Sequence, residues 1–441
     1  MLKQFTKQEK SWIMYDWANS AYSILVASIL PIYAGVVGGA AGIPAVTQTS
    51  HWAFVSSFSA LIIALSAPVL GAVADYRGMR KRLFFSFFLV GVIATGLLPV
   101  TNSYVFLLFL YGITNFGFAG SNVFYDAFLM DVTTNERMNK VSSWGFAMGY
   151  IGGSTIPFLA SIALTVLAKD GMVPLLPIDQ TAAMKAACLI TMGWWAVFTV
   201  PLLKNVKQVY SIEPEKGTVK RSFARLLSTV REVKKHRMLL VFLIAYFCYI
   251  NGVGTIIMMA SKLATSISMP DGSTGFGTLY IIGGLLITQV VAFPFSIIYD
   301  KLSKRFSTKA MILCGIITYT VICAIGFFMV REWQFLMLAG FVGTAQGGVQ
   351  ALSRAFFGKL IPDKNRSGEF FGFYNIFGKF ESVAGTALMG LVLLFTDDVH
   401  YGIIPVFVLF ILGGLLMLRV PEVKEAGGAV SLACNERNAA L

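Results

Sequence analysis

The sequence predicts an all-α membrane protein of twelve transmembrane helices in two pseudo-symmetric six-helix bundles. Three observations predict it. Of the 441 residues, 56% are hydrophobic and 13% charged, with a mean hydropathy of +0.72, far more apolar than the average soluble domain. Apolar windows of about 20 residues, the length a bilayer core requires, recur along almost the whole chain. Motifs of the first half then return in the second, the mark of a duplicated unit.

The spans are expected near 12–40, 51–74, 83–100, 103–130, 141–168 and 183–203, then 237–261, 275–298, 308–330, 333–357, 368–396 and 400–419. The first follows Lys3, Lys7 and Lys10. It is too long for the apolar core of a secretory leader and has no small-residue cleavage site at the right distance, so a retained helix is expected. The polar interval 204–235 divides the spans into six and six. The expected organisation is therefore a bundle over 1–203, a basic linker over 204–235, a second bundle over 236–425 and a tail over 426–441. Within the linker, KGTVKRSFARLLSTVREVKK (216–235) has the composition of a basic amphipathic helix lying on an anionic membrane surface.

The net charge of +13 suggests nucleic acid in a soluble protein, but its placement gives another cause. With a cytoplasmic N-terminus the Lys and Arg gather in inner loops and tails. Only Lys169, Lys185, Lys262 and Arg331 fall outside, and Lys379 lies within a span. The positive-inside rule thus expects both termini in the cytoplasm and no nucleic-acid partner.

The function classes narrow by what is missing. Cys188, Cys248, Cys314, Cys323 and Cys434 are scattered without disulfide or metal spacing. His51, His236 and His400 sit near span ends, and neither HExxH nor GxSxG occurs, so no enzyme, metal or cofactor is expected. The nearest approach to a phosphate loop, GFYNIFGKF from Gly372, has one residue too many between its glycines and Phe380 where Ser or Thr is needed. An ATP-driven pump is excluded on that ground.

The repeat is carried by two pairs of segments. GAVADYRGMRKR from Gly71 returns as SIIYDKLSKRF from Ser296, placing Asp75 and Arg80 in register with Asp300 and Arg305. AFLMDVTTNERMNKVSSWGF from Ala127 returns loosely as AFFGKLIPDKNRSGEFFGF from Ala355. Each aspartate ends a span, with basic residues within two turns. Such a loop reads either as a charge-set topology stop or as a gate, and Gly71 and Gly78 favour the gate at Asp75 by permitting close contact and a tight turn.

Polar residues inside apolar spans mark a solute path, because a charge well inside a bilayer costs about 2.5–3.5 kcal/mol on insertion scales. In YDWANSAYS (15–23), Asp16, Asn19, Ser20 and Ser23 share one helix face, with Tyr22 in the same motif. Asp16 reads either as a cavity residue or as a carboxylate capping the helix start. Spans four, seven and ten repeat the pattern with Asn115, Asn122 and Asp126, with Tyr246, Tyr249 and Asn251, and with Gln346, Gln350 and Arg354. Asp126 and Arg354 hold matching positions, each beside an Ala-Phe pair, which makes them a candidate gate pair. Arg354 has packing and solute binding as alternatives. The eleventh span carries Lys379 and Glu381 near mid-depth on opposite faces, Lys379 on the face of Asn375. Lys379 suits an anionic group of a solute and Glu381 a coupling proton, while the alternative is polar pairing with neighbouring helices.

GAVADYRGMRKR resembles the loop signature of the major facilitator superfamily. Within it, YDWANSAYS, GYIGG (149–153), GTAQGGVQALSRAFFGKLIP and EFFGFYNIFGK resemble the vacuole effluxer-like branch, whose fungal members are associated with amino-acid export. The resemblance runs from the first span to the eleventh. It implies the major facilitator fold, with spans one, four, seven and ten lining a central path. It further implies secondary active transport by alternating access, and a gating role for the loop aspartate, which bonds to basic residues and to a helix N-terminus. The expected cargo is an amino acid or similar zwitterion, with protons as the coupling ion, and a lysolipid or other amphiphile as the alternative. Substrate contacts are expected at Asp16, Asn19, Tyr22, Asn115, Asn122, Tyr246, Asn251, Gln346, Gln350, Asn375 and Lys379. Proton coupling is expected at Glu381 and Asp16, and gating at Asp75, Arg80, Asp126, Asp300, Arg305 and Arg354. A monomer in a bacterial inner membrane, rather than in a eukaryotic vacuole, completes the expectation.

Overall fold

The computed structural model describes residues 2–171, 173–213, 236–264, 267, 269–270, 275–379, 384–393, 395–396, 399–426 and 429–432. Its described part is almost wholly helical. Eleven helical stretches among the described residues are long and apolar enough to cross a membrane. The remaining expected span, 368–396, appears as two helices on either side of 380–383, which lie outside the described residues. On α3 (Ala45–Ala74), Phe54, Phe58, Leu61 and Leu65 are exposed at helical spacing. A water-facing surface would not carry such a stripe; a lipid-facing one does.

The chain divides into two compact units, each of which takes a short stretch from the other half of the sequence. The first comprises Met1–Val132, Trp144–Ser222 and Asn365–Phe380; the second comprises Thr133–Ser143, Phe223–Lys364 and Glu381–Leu441.

In the first unit, α1 (Lys7–Ala27) starts earlier than its apolar run because Thr6 caps it. Thr6 Oγ1 accepts from the Glu9 amide at 3.2 Å and Glu9 Oε2 from the Thr6 amide at 2.8 Å, a reciprocal capping box. The helix breaks at Ser28 and resumes as α2 (Ile29–Ala40). Next come α3, α4 (Met79–Leu97) and α5 (Tyr104–Val132). Small residues let α4 and α5 touch: a Cβ on Gly117 would meet the Gly91 amide nitrogen at 2.5 Å, so these backbones approach as only glycines allow. The fifth span is α6 (Asn135–Met148), whose residues up to Ser143 belong to the second unit, then a π-helical turn over Gly149–Thr155, and α7 (Ile156–Leu167). The sixth is α8 (Gln180–Asn205).

The second unit contains α9 (Arg237–Ala264), α10 (Thr278–Phe306), α11 (Thr308–Gly326) and α12 (Glu332–Leu360). Beyond α13 (Ser367–Lys379), which packs in the first unit, follow α14 (Ala384–Leu393) and α15 (Ile403–Arg419). Gly343 seats α12 against Val291 of α10, and Gly413 seats α15 against Tyr249 of α9. A two-stranded antiparallel hairpin, β1 (Val423–Ala426) and β2 (Ala429–Leu432), follows the last helix. The expected amphipathic helix at 216–235 falls outside the described residues. The linker residues before it, 206–213, run back over the loop between α3 and α4.

Candidate functional site

Two features stand out in the first unit, a polar cluster along α1, α5 and α13 and a charged knot at the Asp75 end. A seam of hydrogen bonds joins α1 to α5 antiparallel. Trp12 Nε1 donates to the Tyr125 carbonyl (2.9 Å), Tyr15 to Ser121 Oγ (2.9 Å) and Asn19 Nδ2 to Asn122 Oδ1 (2.9 Å), while the Tyr22 and Thr114 hydroxyls pair at 2.7 Å. These α1 residues recur every three or four positions, so they lie on one face. Tyr22 and Asn19, both expected at the solute, thus also join two helices. Tyr22 is fully buried in that seam.

Asp16 is no cap, since Thr6 fills that position and Asp16 lies ten residues further on, about 15 Å at 1.5 Å per residue. Its neighbours on the helical wheel place it between the α5 seam and the π turn, where Gly149 sits against Ser20 and Gly152 against Trp17. A π turn re-aims the backbone where a side chain of normal size would not fit, and such turns occur often at functional sites. The antiparallel register sets Asp16 about level with Asn122, one turn from Asp126. Both carboxylates are at least nine-tenths buried, with exposures of 8% and 9%. Asn375 Nδ2 of α13 donates to Asp126 Oδ2 (3.2 Å) and to the Phe371 carbonyl (3.0 Å). The next turn of α13 carries Lys379 to the level of Asp16, although its side chain lies outside the described residues, as does Glu381 altogether. Asn115, on α5, is half-buried.

The knot gathers Asp75, Arg80 and two partners that sequence reading did not single out. Arg80 Nη2 donates to Asp75 Oδ1 (2.8 Å) and Ser367 Oγ (2.9 Å), and Arg80 Nη1 to Asp131 Oδ2 (2.5 Å). All three charged side chains have no solvent exposure. Asp75 also accepts from the Gly368 amide (2.7 Å) and the Glu369 amide (3.0 Å), the first free donors of α13. A carboxylate there satisfies orphan N–H groups and meets the positive end of the helix dipole. Gly71 permits the approach, because a Cβ on it would run into the Gly368 carbonyl. Asp131 Oδ1 accepts from the Val209 and Tyr210 amides, and Gln208 bridges the Gly78 amide to the Ala74 carbonyl. The linker is thereby pinned to the knot. Asp131 was detectable in principle, as a carboxylate five residues beyond Asp126, but nothing in the sequence tied it to Arg80.

The second unit holds the other expected residues. Tyr246 stacks with Phe242. Asn251 Nδ2 donates to the Phe247 carbonyl (2.6 Å), Tyr249 pairs with Ser353 (2.6 Å), and Gln350 is half-buried. Arg354 Nε donates to Ser142 Oγ (3.0 Å) and Nη2 to the Ser142 carbonyl (3.3 Å), which fastens α12 to the start of α6. Asp300 is 3% exposed, and among the described residues its ion pair is with Lys304 at 3.9 Å. Arg305 does not reach it: five residues along a continuous helix turn it about 140° away, and it lies exposed over the Phe306 ring. Among the described residues no group of three or more His, Cys, Asp or Glu could hold a metal ion.

Residues 37–427 match the family model described as vacuole effluxer Atg22 like. The chain is 44% identical over 425 residues to YxiO of Bacillus subtilis (strain 168), an uncharacterized MFS-type transporter, covering 96% of each chain. It is 25% identical over 320 residues to autophagy-related protein 22 of Cryptococcus neoformans var. neoformans serotype D (strain B-3501A), covering 68% of this chain. That match spans about half the length of the fungal protein, 56%. Among solved structures, the major facilitator superfamily transporter FucP in its outward conformation superposes with a TM-score of 0.70 at 13% identity, covering 94% of this chain and 98% of that one. The human organic anion transporter MFSD10 gives 0.67 at 15% identity, covering 93% and 99%. At such identities the likeness concerns the fold.

Proposed function

Since this chain belongs to the Atg22-like vacuole effluxer family of major facilitator transporters, a multi-pass membrane protein and not an enzyme, we propose that it moves an amino acid or similar zwitterion by alternating access, driven by protons. The observation that carries this reading is the pair of buried carboxylates in the first unit. Asp16 and Asp126 lie within about a turn of one another among Asn19, Asn122 and Asn375. Buried charges persist in a membrane span when they serve a solute or ion path. An ammonium group is the cation that two buried carboxylates attract, and α13 carries Lys379 to the same level for the opposite end of a zwitterion. Glu381, two residues beyond, is the reading's proton site. The family name supports export of small solutes, and XylE, a structural relative of the same fold, is by its own description a proton:xylose symporter. The Asp75 knot serves as a gate in this reading, since it releases α13 when its charges part.

The test is flux in proteoliposomes across an amino-acid panel, with and without an imposed pH gradient. At least one amino acid should show saturable flux, with Asp126→Asn raising KM about tenfold, the equivalent of about 1.4 kcal/mol. Glu381→Gln should abolish pH-driven accumulation and keep counterflow exchange. Saturable flux of an uncharged solute, with every amino acid inert, would refute the zwitterion.

A further inference from the structure

At the end of the first unit where the Asp75 knot lies, α4 begins and α8 ends. The two helices pack closely: Phe88 meets Trp195 edge to face at 5.8 Å, and a Cβ on Gly91 would run into the same ring. Each helix also carries an exposed apolar stripe. On α4 it is Phe85, Leu89 and Ile93, and on α8 it is Leu189, Val197 and Val200. At 100° per residue each stripe falls on one helix face, and in a multi-pass membrane protein such a face meets lipid. Both stripes end in an exposed cation, Arg82 on α4 and Lys204 on α8. Lys81 sets the two ends level, because its Nζ donates to the Val206 carbonyl that closes α8 (3.1 Å). Lys207 follows directly, and its charge lies close enough to act on Lys81. Four cations thus share one patch. Among the described residues none of them has an ion pair, and the acids around them are spent, Asp75 and Asp131 on Arg80 and Glu213 on Arg77.

A single cation at the end of a span needs no ligand, since the positive-inside rule accounts for it. Like charges held together are another matter, because they repel and a bound anion offsets the repulsion. The stripes that run from the patch add a second requirement, a guest with hydrocarbon chains. We infer that the lipid-facing surface of α4 and α8 is a binding site for one acidic phospholipid, with its phosphate among Arg82, Lys204 and Lys207 and its chains along the two stripes. The Arg82 guanidinium presents a planar fork of donors that matches a phosphate, and the lysines add charge. Lys81 stays with Val206 and fixes the spacing. Val206 and Lys207 also open the linker segment that Gln208 and Asp131 hold, so a lipid bound here steadies the same end of the linker. The inference stands whatever solute the first unit serves, because none of these residues belongs to the acidic cluster.

The probe is dioleoylphosphatidylglycerol, titrated into the detergent-purified full chain and counted by native mass spectrometry, with melting curves reporting the fold. The wild type should take up one equivalent saturably, about tenfold more tightly than dioleoylphosphatidylcholine. Inorganic phosphate and glycerophosphoglycerol, the headgroup without chains, should not compete. Arg82→Gln/Lys204→Gln/Lys207→Gln should weaken phosphatidylglycerol about a hundredfold, at about fivefold for each cation. Its melting transition should be retained, because no ion pair is broken. Should that variant not fold, Arg82→Gln alone should weaken the lipid about fivefold. Lys3→Gln/Lys169→Gln/Lys301→Gln removes the same charge from exposed sites elsewhere and should bind as the wild type does. Equal affinity for the two lipids would overturn the inference. So would equal losses in the two triple variants, the outcome if net charge alone draws the lipid, and so would displacement by inorganic phosphate, which would mark a site for a free anion.

Discussion

The Asp75 loop and the Asp300 loop read alike and fold differently. Both read aspartate, four residues, arginine, and both aspartates are buried at the end of a span. At Asp75 the helix stops. Gly78, in the left-handed region at φ 76°, turns the chain so that Arg80 returns to Asp75 and Asp131. At Asp300 the helix continues to Phe306, and the turn comes only at Ser307, at φ 92°. Arg305 is carried away by the helix, and Asp300 Oδ1 is left without a hydrogen-bond partner among the described residues. The docked helix differs as well. In the first unit, α13 offers its free amides to Asp75. In the second, α6 is held by a side chain, Asn139 Nδ2 donating to Ser303 Oγ (3.1 Å) and Thr308 Oγ1 (2.7 Å). An early turn at Gly78, with Asp131 and the α13 amides within reach, thus goes with a closed ionic knot, and a late turn at Ser307 with an aspartate that has one unmet oxygen among the described residues.

Arg80→Leu is the strongest way to break the comparison. It leaves Asp75 and Asp131 buried without their cation, which should cost about 3–5 kcal/mol, whereas Arg305→Leu at the exposed site should stay within about 0.5 kcal/mol. Melting of the purified variants in detergent measures both, and equal shifts would erase the distinction. Asp75→Asn turns an amide donor toward Arg80 or the α13 amides, and should cost about 1.5–3 kcal/mol, the range for hydrogen bonds to a charged group. Asp300→Asn, which gives up one weak contact, should be neutral or stabilising on the same assay. A larger loss at Asp300 than at Asp75 would invert the comparison.

Gly71→Ala tests the approach of α13 by itself, with all charges kept. Its Cβ meets the Gly368 carbonyl, so overpacking of about 1–3 kcal/mol is expected, together with slower flux in liposomes. Ser296, the counterpart, already carries a buried side chain bonded to the Ala292 carbonyl, and Ser296→Ala should leave flux unchanged. The smallest effect belongs to Gln208→Ala, which frees the linker from the Asp75 loop at about 0.5–1.5 kcal/mol. Trypsin should then cut faster at Lys204 and Lys207, and an unaltered digestion rate would show that the bonds to Asp131 and to the backbone of Asp75 and Arg77 hold the linker without Gln208.

How far the site was legible follows the same physics. Apolar length reveals spans because lipid imposes it residue by residue, and a duplicated motif survives as text, so Asp75, Arg80, Asp300 and Arg305 were visible. Periodicity also marked Asp16, Asn19 and Tyr22 as a polar stretch of α1, but it cannot say what a polar face meets. Asn19 and Tyr22 meet α5. Asp131 and the α13 amides escaped notice for a related reason: their partners lie far along the chain, Gly368 being 293 residues from Asp75, and no local pattern encodes such a pairing.

By itself the sequence determined the membrane class, the helical spans, the internal repeat, the family and the absence of an enzyme's motifs, all properties set by composition or by short motifs. Only the tertiary structure decided which of two like loops closes, that Thr6 and not Asp16 caps α1, and that Asn19 and Tyr22 bond to α5. Hydrophobic length acts locally and can be read along a line. Hydrogen-bond satisfaction depends on which groups the folded chain brings within about 3 Å, and that is a property of the packed molecule.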